Sequence, residues 1–269
     1  VKLHQSENVV QYTTSILPVW NEQEQFGIVQ EPRLATNERL AGEMTLDRTE
    51  RSASADAKRG LVLLAGELFD VDIFALEWAF IAAADGGARH ALTQNIRLDY
   101  VGGDFDSLRP DEVERLKVVG VSMGRLPREK DLTDGEAVVQ WAIDQGTADE
   151  IVVAGGLGGR FDHSLGSVIL LEQIAQAGLR GCVTDGRQTV YLLRDGLVVY
   201  GEPGDQLSIV PLTPRVTGVG AQGVRWPLTD ATLTASSTLT LSNELTDTSA
   251  TFAHKSGRAV VVHVPKRYK

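Results

Sequence analysis

The chain has 269 residues, enough for one large or two modest domains, each burying its own core. Apolar residues make up 42% and charged residues 23%, ordinary soluble usage, and a formal net charge of -10 without any basic stripe argues against non-specific nucleic-acid binding. One cysteine, Cys182, excludes an internal disulfide and a thiolate metal cage. No apolar run approaches the roughly 20 residues of a membrane span, and no charged leader precedes an apolar segment, so the expected location is the cytoplasm with no membrane contact.

Residues 1–58 are rich in Gln, Glu, Asn, Thr and Arg and end in DRTERSASADAKRG. They are read as a polar extension, disordered or artefactual. From residue 60, LVLLAGEL, AFIAAAD, DYVGGD, VSMGRL, IVVAGG and CVTDG are short apolar runs that end in Gly or Asp. Helical stretches such as PDEVERLKVVG and TDGEAVVQWAIDQG lie between them, with apolar residues three and four apart. Strands and helices alternating at this length predict an α/β domain over 59–194, a Rossmann-like parallel sheet covered on both faces. After Asp195 the helical period vanishes. LVVYG, DQLSIVPL, ATLTASSTLTLS and AVVVHVP are β-branched and punctuated by Gly and Pro, which predicts an antiparallel β-sandwich over 195–269.

Acidic clusters follow the predicted strands, and loops leaving the carboxyl ends of such strands converge on one crevice. In GDFDS, Asp104 and Asp106 are one residue apart, so an extended backbone would point both carboxylates to one side, with Gly102 and Gly103 letting a phosphate approach. An acidic turn with Ser107 capping the next helix is the plain alternative. KDLTD opens a helix in which Asp131 or Thr133 caps, Glu136 completes a capping box, and Asp134 shares a face with Asp131. Simple capping accounts for Thr133 and Glu136 but not for Lys130, whose ammonium could neutralise phosphate. In GGLGGRFDHSLGS, Gly155, Gly156, Gly158 and Gly159 bare the backbone ahead of an apolar helix, and Arg160 can fork onto phosphate oxygens. His163 could serve as base or nucleotide contact, the alternative being a helix-capping Asp162 beside a packed His163. ADGG places Asp85 at a strand end, as a ribose or phosphate contact or a plain turn. So many carboxylates in one crevice need a cation, and a hard divalent ion with oxygen ligands, magnesium, answers that need.

The sequence contains no GxxxxGK[ST], GxSxG or HExxH. GGxGG differs in spacing from the GxGxxG dinucleotide fingerprint and comes late in the fold, although an NAD-type site remains the alternative reading of that loop.

Taken in order, ADGG, GDFDS, KDxTD and GGxGGRxDH, followed by a β-rich tail with GVRWPL and SNE, resemble the thiamine pyrophosphokinase family over about residues 60–265. The resemblance implies a homodimer whose α/β domain binds ATP and magnesium and whose β domain contributes to a thiamine pocket shared between subunits. It implies transfer of a pyrophosphoryl group from ATP to the thiamine hydroxyethyl oxygen, with AMP released. Asp104, Asp106 and Asp134 would then be the metal and catalytic carboxylates, with His163 a further catalytic group. Asp85, Lys130, Asp131, Thr133, Gly158, Gly159, Arg160 and Asp162 would line the ATP and phosphate region. Trp226, Ser242 and Asn243 would contact thiamine. Two other readings stay open: a pyrophosphokinase for another hydroxymethyl heterocycle such as a pterin, and a non-catalytic sensor of nucleotide or thiamine.

Overall fold

The computed structural model describes residues 57–127, 129, 131–194 and 196–268. The expectations for residues 1–56 and for Lys130 lie outside them. Each predicted apolar run of the first half forms a strand: β1 (Arg59–Leu63), β2 (Phe80–Ala84), β3 (Tyr100–Gly103), β4 (Ser122–Arg125), β5 (Glu150–Ala154) and β6 (Arg180–Thr184). They are parallel, in the spatial order β6-β5-β1-β2-β3-β4. Helices α1 (Ala88–Gln94), α2 (Pro110–Val118), α3 (Asp134–Asp144) and α4 (Phe161–Gln176) make the crossovers.

Both faces of this sheet are covered, which is why its strands read as continuous apolar runs. Val62, Ile151 and Val153 pack with Val138, Val139, Leu171 and Ile174 of α3 and α4. Their neighbours Leu61, Leu63 and Val152 point the other way, toward Ala88, Ala91 and Leu116 of α1 and α2. Each fully buried Leu, Ile or Val contributes about 1.5–3 kcal/mol of transfer free energy, so the alternation fixes which face each strand turns to which helix pair. α3 starts where Thr133 Oγ1 accepts the Glu136 amide at 3.1 Å. Its buried positions Val138, Val139 and Ala142 then form the stripe that seats it on the sheet. α4 buries Leu170, Leu171, Ile174 and Ala175 but leaves Phe161, Leu165 and Ile169, four residues apart, exposed.

Four more strands extend the same sheet in antiparallel fashion: β7 (Thr189–Leu193), β9 (Gln206–Pro211), β12 (Asn243–Glu244) and β14 (Ala259–Val264), in the order β12-β9-β14-β7-β6. A second, antiparallel sheet holds β8 (Leu197–Tyr200), β10 (Arg215–Gln222), β11 (Leu228–Thr234) and β13 (Ser249–Ala253) in the order β11-β10-β13-β8. Leu193, Leu207, Ile209 and Val261 of the first sheet meet Val199, Val216, Val219 and Phe252 of the second in a common core, a sandwich of the expected kind. The shift in residue usage near 195 marks the step from β7 into the second sheet. ATLTASSTLTLS behaves differently from its β-rich reading: β11 stops at Thr234. There the Ser237 amide donates back to the Thr234 carbonyl and the Ser236 and Thr234 hydroxyls pair, so local side-chain hydrogen bonds turn the chain out of the ladder.

Candidate active site

After β4 the chain crosses to the far side of β1 to build β5, so the sheet reverses its strand order between β1 and β5. Open α/β sheets bind ligands beyond the carboxyl ends of the strands at such a point. The loops leaving β1 and β5 lie side by side there, Leu64 N donating to Ala154 O and Gly66 N to Gly155 O, both at 2.8 Å.

One strand over, the carboxylates of Asp85, Asp104 and Asp106 converge, each offering an oxygen within 4.8 Å of the others. Parallel pairing of β2 with β3, Ala84 opposite Gly102, sets the two acidic loops next to each other. Asp85 is 6% exposed, and its Oδ1 is buried with no hydrogen-bond partner among the described residues. Its φ of +40° is left-handed, a conformation that costs a non-glycine residue energy and is commonly kept at functional sites. Gly103 makes this approach possible: a Cβ there would lie 2.8 Å from the Asp85 Cβ. The space bared by Gly103 is therefore filled by Asp85 and is not open to a phosphate.

Asp104 and Asp106 also come together differently from the extended arrangement read from sequence. Phe105 adopts φ +63°, and the Asp106 amide donates to Asp104 Oδ1 at 3.1 Å, so a tight turn aims the pair. Ser107 does not cap the next helix; α2 begins at Pro110 behind Arg109, and the Ser107 hydroxyl donates to Asp106 Oδ1 at 3.3 Å. An open cleft of about 570 Å³ adjoins the pair, lined by Asp104, Asp106, Arg125, Leu126 and Pro127. Arg125 was missed in the sequence, although its position as the last residue of β4 puts it on the same carboxyl edge as the acidic loops.

Asp134 is the first residue of α3, directly after the cap Thr133, and lies outside the trio of converging carboxylates. Asp131 is exposed on the loop just before. Beyond β5, Gly158 and Gly159 take left-handed φ values of +84° and +65°, and a Cβ on Gly159 would meet nothing within 4 Å, so backbone is bare there. Gly155 and Gly156 are packed instead, against the Leu64 carbonyl and against Val183 and Ser167. The Arg160 guanidinium forks onto Asp162, with Nε to Oδ1 at 3.1 Å, and both are exposed. That contact holds the Asp162 carboxyl below the usual carboxylate range and raises the arginine. His163 is exposed on the first turn of α4.

The tail residues form a separate group. Trp226 is 54% exposed, with the Arg225 guanidinium 4.9 Å from its ring centre and Arg225 paired to Glu244 at 3.1 Å. Asn243 Oδ1 accepts the Trp226 amide at 3.1 Å and Asn243 Nδ2 donates to the Trp226 carbonyl at 2.8 Å. Ser242, at φ +59°, is exposed and donates its amide to Ser208 Oγ.

The chemistry of the acidic trio fits magnesium: all three donors are hard carboxylate oxygens, and among the described residues the one buried carboxylate oxygen without a partner, Asp85 Oδ1, belongs to it. Fold and geometry together define a doubly wound α/β protein, joined to an antiparallel sandwich, with three converging carboxylates that could hold a hard cation at the carboxyl edge of its strands. Residues 75–183 match the family "Thiamin pyrophosphokinase, catalytic domain" and residues 198–258 match "Thiamin pyrophosphokinase, vitamin B1 binding domain", between them more than half of the chain. The chain belongs to the thiamin pyrophosphokinase family.

Among relatives, a thiamine pyrophosphokinase of Bacillus subtilis is 28% identical over 162 residues, covering 60% of this chain and 75% of the relative. A thiamin pyrophosphokinase of Caenorhabditis elegans is 29% identical over 191 residues, covering 66% and 76%. The crystal structure of a Geobacillus thermodenitrificans thiamin pyrophosphokinase superposes with a TM-score of 0.68 at 27% identity, over 77% of this chain and 98% of that one. The Bacillus subtilis enzyme structure shares the fold, with a TM-score of 0.70 at 23% identity over 78% and 100%.

Proposed function

We propose that this chain transfers pyrophosphate from ATP to the hydroxyethyl oxygen of thiamine, giving thiamine diphosphate and AMP. Membership of the family supports the reaction, and the observation that carries it in this molecule is the convergence of Asp85, Asp104 and Asp106 beside an open cleft. The α/β part, 59–194, is assigned the nucleotide and metal work, and 195–269 the recognition of thiamine. Asp85, Asp104 and Asp106 would hold magnesium, which when bound neutralises charge on the triphosphate and polarises its phosphorus toward attack.

The chain's own groups do the positioning. Gly158 and Gly159 offer bare backbone and the start of α4 its positive end to phosphate oxygens, while Arg125, and Arg160 once released from Asp162, supply cations. The hydroxyethyl oxygen forms a bond to the β-phosphorus as the bond from that phosphorus to the bridging oxygen of AMP breaks. Asp134, on the first turn of α3, takes the hydroxyl proton, with His163 as the second candidate. Trp226 presents an indole face to the permanently cationic thiazolium.

Geometry supports a homodimer with a shared site. Asn243 stands on β12, one edge of the ten-stranded sheet, and β2 is seven strand steps away, about 34 Å along the sheet at roughly 4.8 Å per strand. That path is several times the length of thiamine, so Trp226 and the acidic trio serve one substrate only if they come from two copies. A mixing experiment tests both parts of the reading. Asp106→Asn protein, nearly inactive, and Trp226→Ala protein, weakened at low thiamine, should when re-assorted make more AMP and thiamine diphosphate than the two make apart, the added share rising toward about one quarter of wild type, the statistical share of intact sites in a symmetric dimer. No recovery on mixing would refute the shared site, and no thiamine diphosphate from wild-type protein would refute the activity itself.

A further inference from the structure

Glu112 is a buried carboxylate that the proposed reaction does not use, its side chain 8% exposed. It lies on the first turn of α2, and Arg89 lies on α1, four residues after Asp85. Arg89 Nε sits 3.2 Å from both Glu112 oxygens, Glu112 Oε2 accepts the Arg109 amide at 2.8 Å, and the Arg89 Nη2 donates to the Ser107 carbonyl. These contacts tie the segment that follows Asp85 to the segment that follows Asp106. The Arg109 amide and then Arg89 hold the Glu112 carboxyl below the usual carboxylate range, so the contacts are made to its charged form.

We propose that Arg89 and Glu112 form a strut between the two acidic loops, and that Glu112 is a positioning residue that sets the spacing of Asp85, Asp104 and Asp106 for the divalent cation. Stability alone gives little reason for the pair. Only the Glu112 end of the pair is buried, the Arg89 side chain being 46% exposed, so the attraction is screened on one side and returns little more than the desolvation of Glu112 costs. A strut has a different reason to exist: three carboxylates repel one another, Asp85 and Phe105 in their loops have left-handed backbone, and a cation site tolerates only about 0.2 Å of error in its ligand distances. Burial of Glu112 fixes one end of the strut. Arg89 reaches across on a planar fork that fixes direction as well as distance, which a lysine ammonium would not do.

The inference rests on the reading of the trio as a magnesium site, and the test separates the two. Manganese binding is measured without nucleotide by electron paramagnetic resonance for wild type, Glu112→Gln, Arg89→Lys, Asp106→Asn and Glu172→Gln, together with thermal melts and the magnesium dependence of AMP release. Glu172→Gln breaks the ion pair with Arg258 on α4, outside the acidic loops, and is the control for lost pairing as such. The expected result is manganese affinity weakened about tenfold or more by Glu112→Gln and Arg89→Lys, as for other groups that orient metal ligands. The magnesium midpoint shifts by the same factor, turnover recovers at saturating magnesium, and Glu172→Gln leaves the midpoint in place. Arg89→Lys carries the test if Glu112→Gln does not fold. Wild-type manganese affinity in both folded variants, with Asp106→Asn having lost it, overturns the strut alone. Wild-type affinity in Asp106→Asn overturns the metal reading and the strut with it.

Discussion

Gly103→Ala puts a methyl group where the fold has left no room. The new Cβ would sit 2.8 Å from the Asp85 Cβ, 3.3 Å from its Cα and 3.4 Å from its amide nitrogen. The closest of these lies about 0.7 Å inside the separation at which carbon atoms pack, so either β3 or Asp85 has to move by several tenths of an ångström. Overpacking of this kind costs about 1–3 kcal/mol. For a folded unit of some two hundred residues that is a fall in Tm of about 2–12 °C. Because the displaced residue is Asp85, the loss should not stop at stability: manganese affinity should drop about tenfold or more, and the magnesium midpoint for AMP release should rise, with the KM for thiamine little changed. Gly120→Ala is the control, since Gly120 has φ +77° with nothing within 4 Å of its Cβ position and charges only the backbone cost. A Gly103→Ala protein that melts lower but binds manganese like wild type would refute the idea that this contact aims Asp85 at a cation.

Three other outcomes are expected. Asp205 is buried, which alone would raise its pKa, but the Glu202 and Lys266 amides and His263 more than offset that and leave it lowered. A lowered folded pKa means its stabilisation is complete above the unfolded value of about 3.9 and is lost as pH falls through the folded value; denaturant midpoints at pH 6 and pH 3 should show a loss that is smaller in Asp205→Asn. Trp226→Ala should raise the KM for thiamine about two- to thirtyfold, the equivalent of 0.5–2 kcal/mol of cation–π attraction, and abolish any thiamine-dependent change in indole fluorescence at that site. Cys182 is fully enclosed and its thiol pKa is pushed up by burial, so a thiol reagent should label it only after unfolding, as read by mass spectrometry.

The architecture was legible because burial leaves a periodic trace. Every apolar run from LVLLAGEL to CVTDG contains a strand, and in all of them but the edge strand β4 most positions are buried because both faces of the sheet are covered. The grouping of the carboxylates was less legible. The sequence joined Asp134 to Asp104 and Asp106 and gave Asp85 to the nucleotide, whereas the converging trio is Asp85, Asp104 and Asp106. Which loops are neighbours depends on strand order, and β2 lies beside β3 through hydrogen bonds between residues eighteen apart, such as Ala84 and Gly102. No local pattern records that pairing. Arg89 and Glu112 were invisible for the same reason: twenty-three residues separate them, and each alone reads as a solvated helix residue. Glu112 had a partial signal, as the third helical residue behind Pro110, where an acidic side chain commonly turns back to cap.

Four carboxylates among the described residues are buried, Asp85, Glu112, Asp185 and Asp205, and the contrast between them singles out Asp85. Glu112 is served by the Arg109 amide and Arg89. Asp185 takes the Arg187 and Gln188 amides and the Gln188 side chain, and Asp205 takes two amides and His263. Asp85 alone keeps an oxygen without a donor. Such a group costs about 1–3 kcal/mol or more, and the left-handed backbone of the same residue adds a further penalty of order 1–3 kcal/mol. A chain that satisfies its other three buried carboxylates has the means to satisfy the fourth. Both costs fall on the one residue whose neighbours, Asp104 and Asp106, would further repel its charge; a divalent cation bound there would fill the orphaned oxygen and offset the repulsion, and by binding the folded arrangement it would offset the backbone cost with a stabilisation that grows as the logarithm of its concentration.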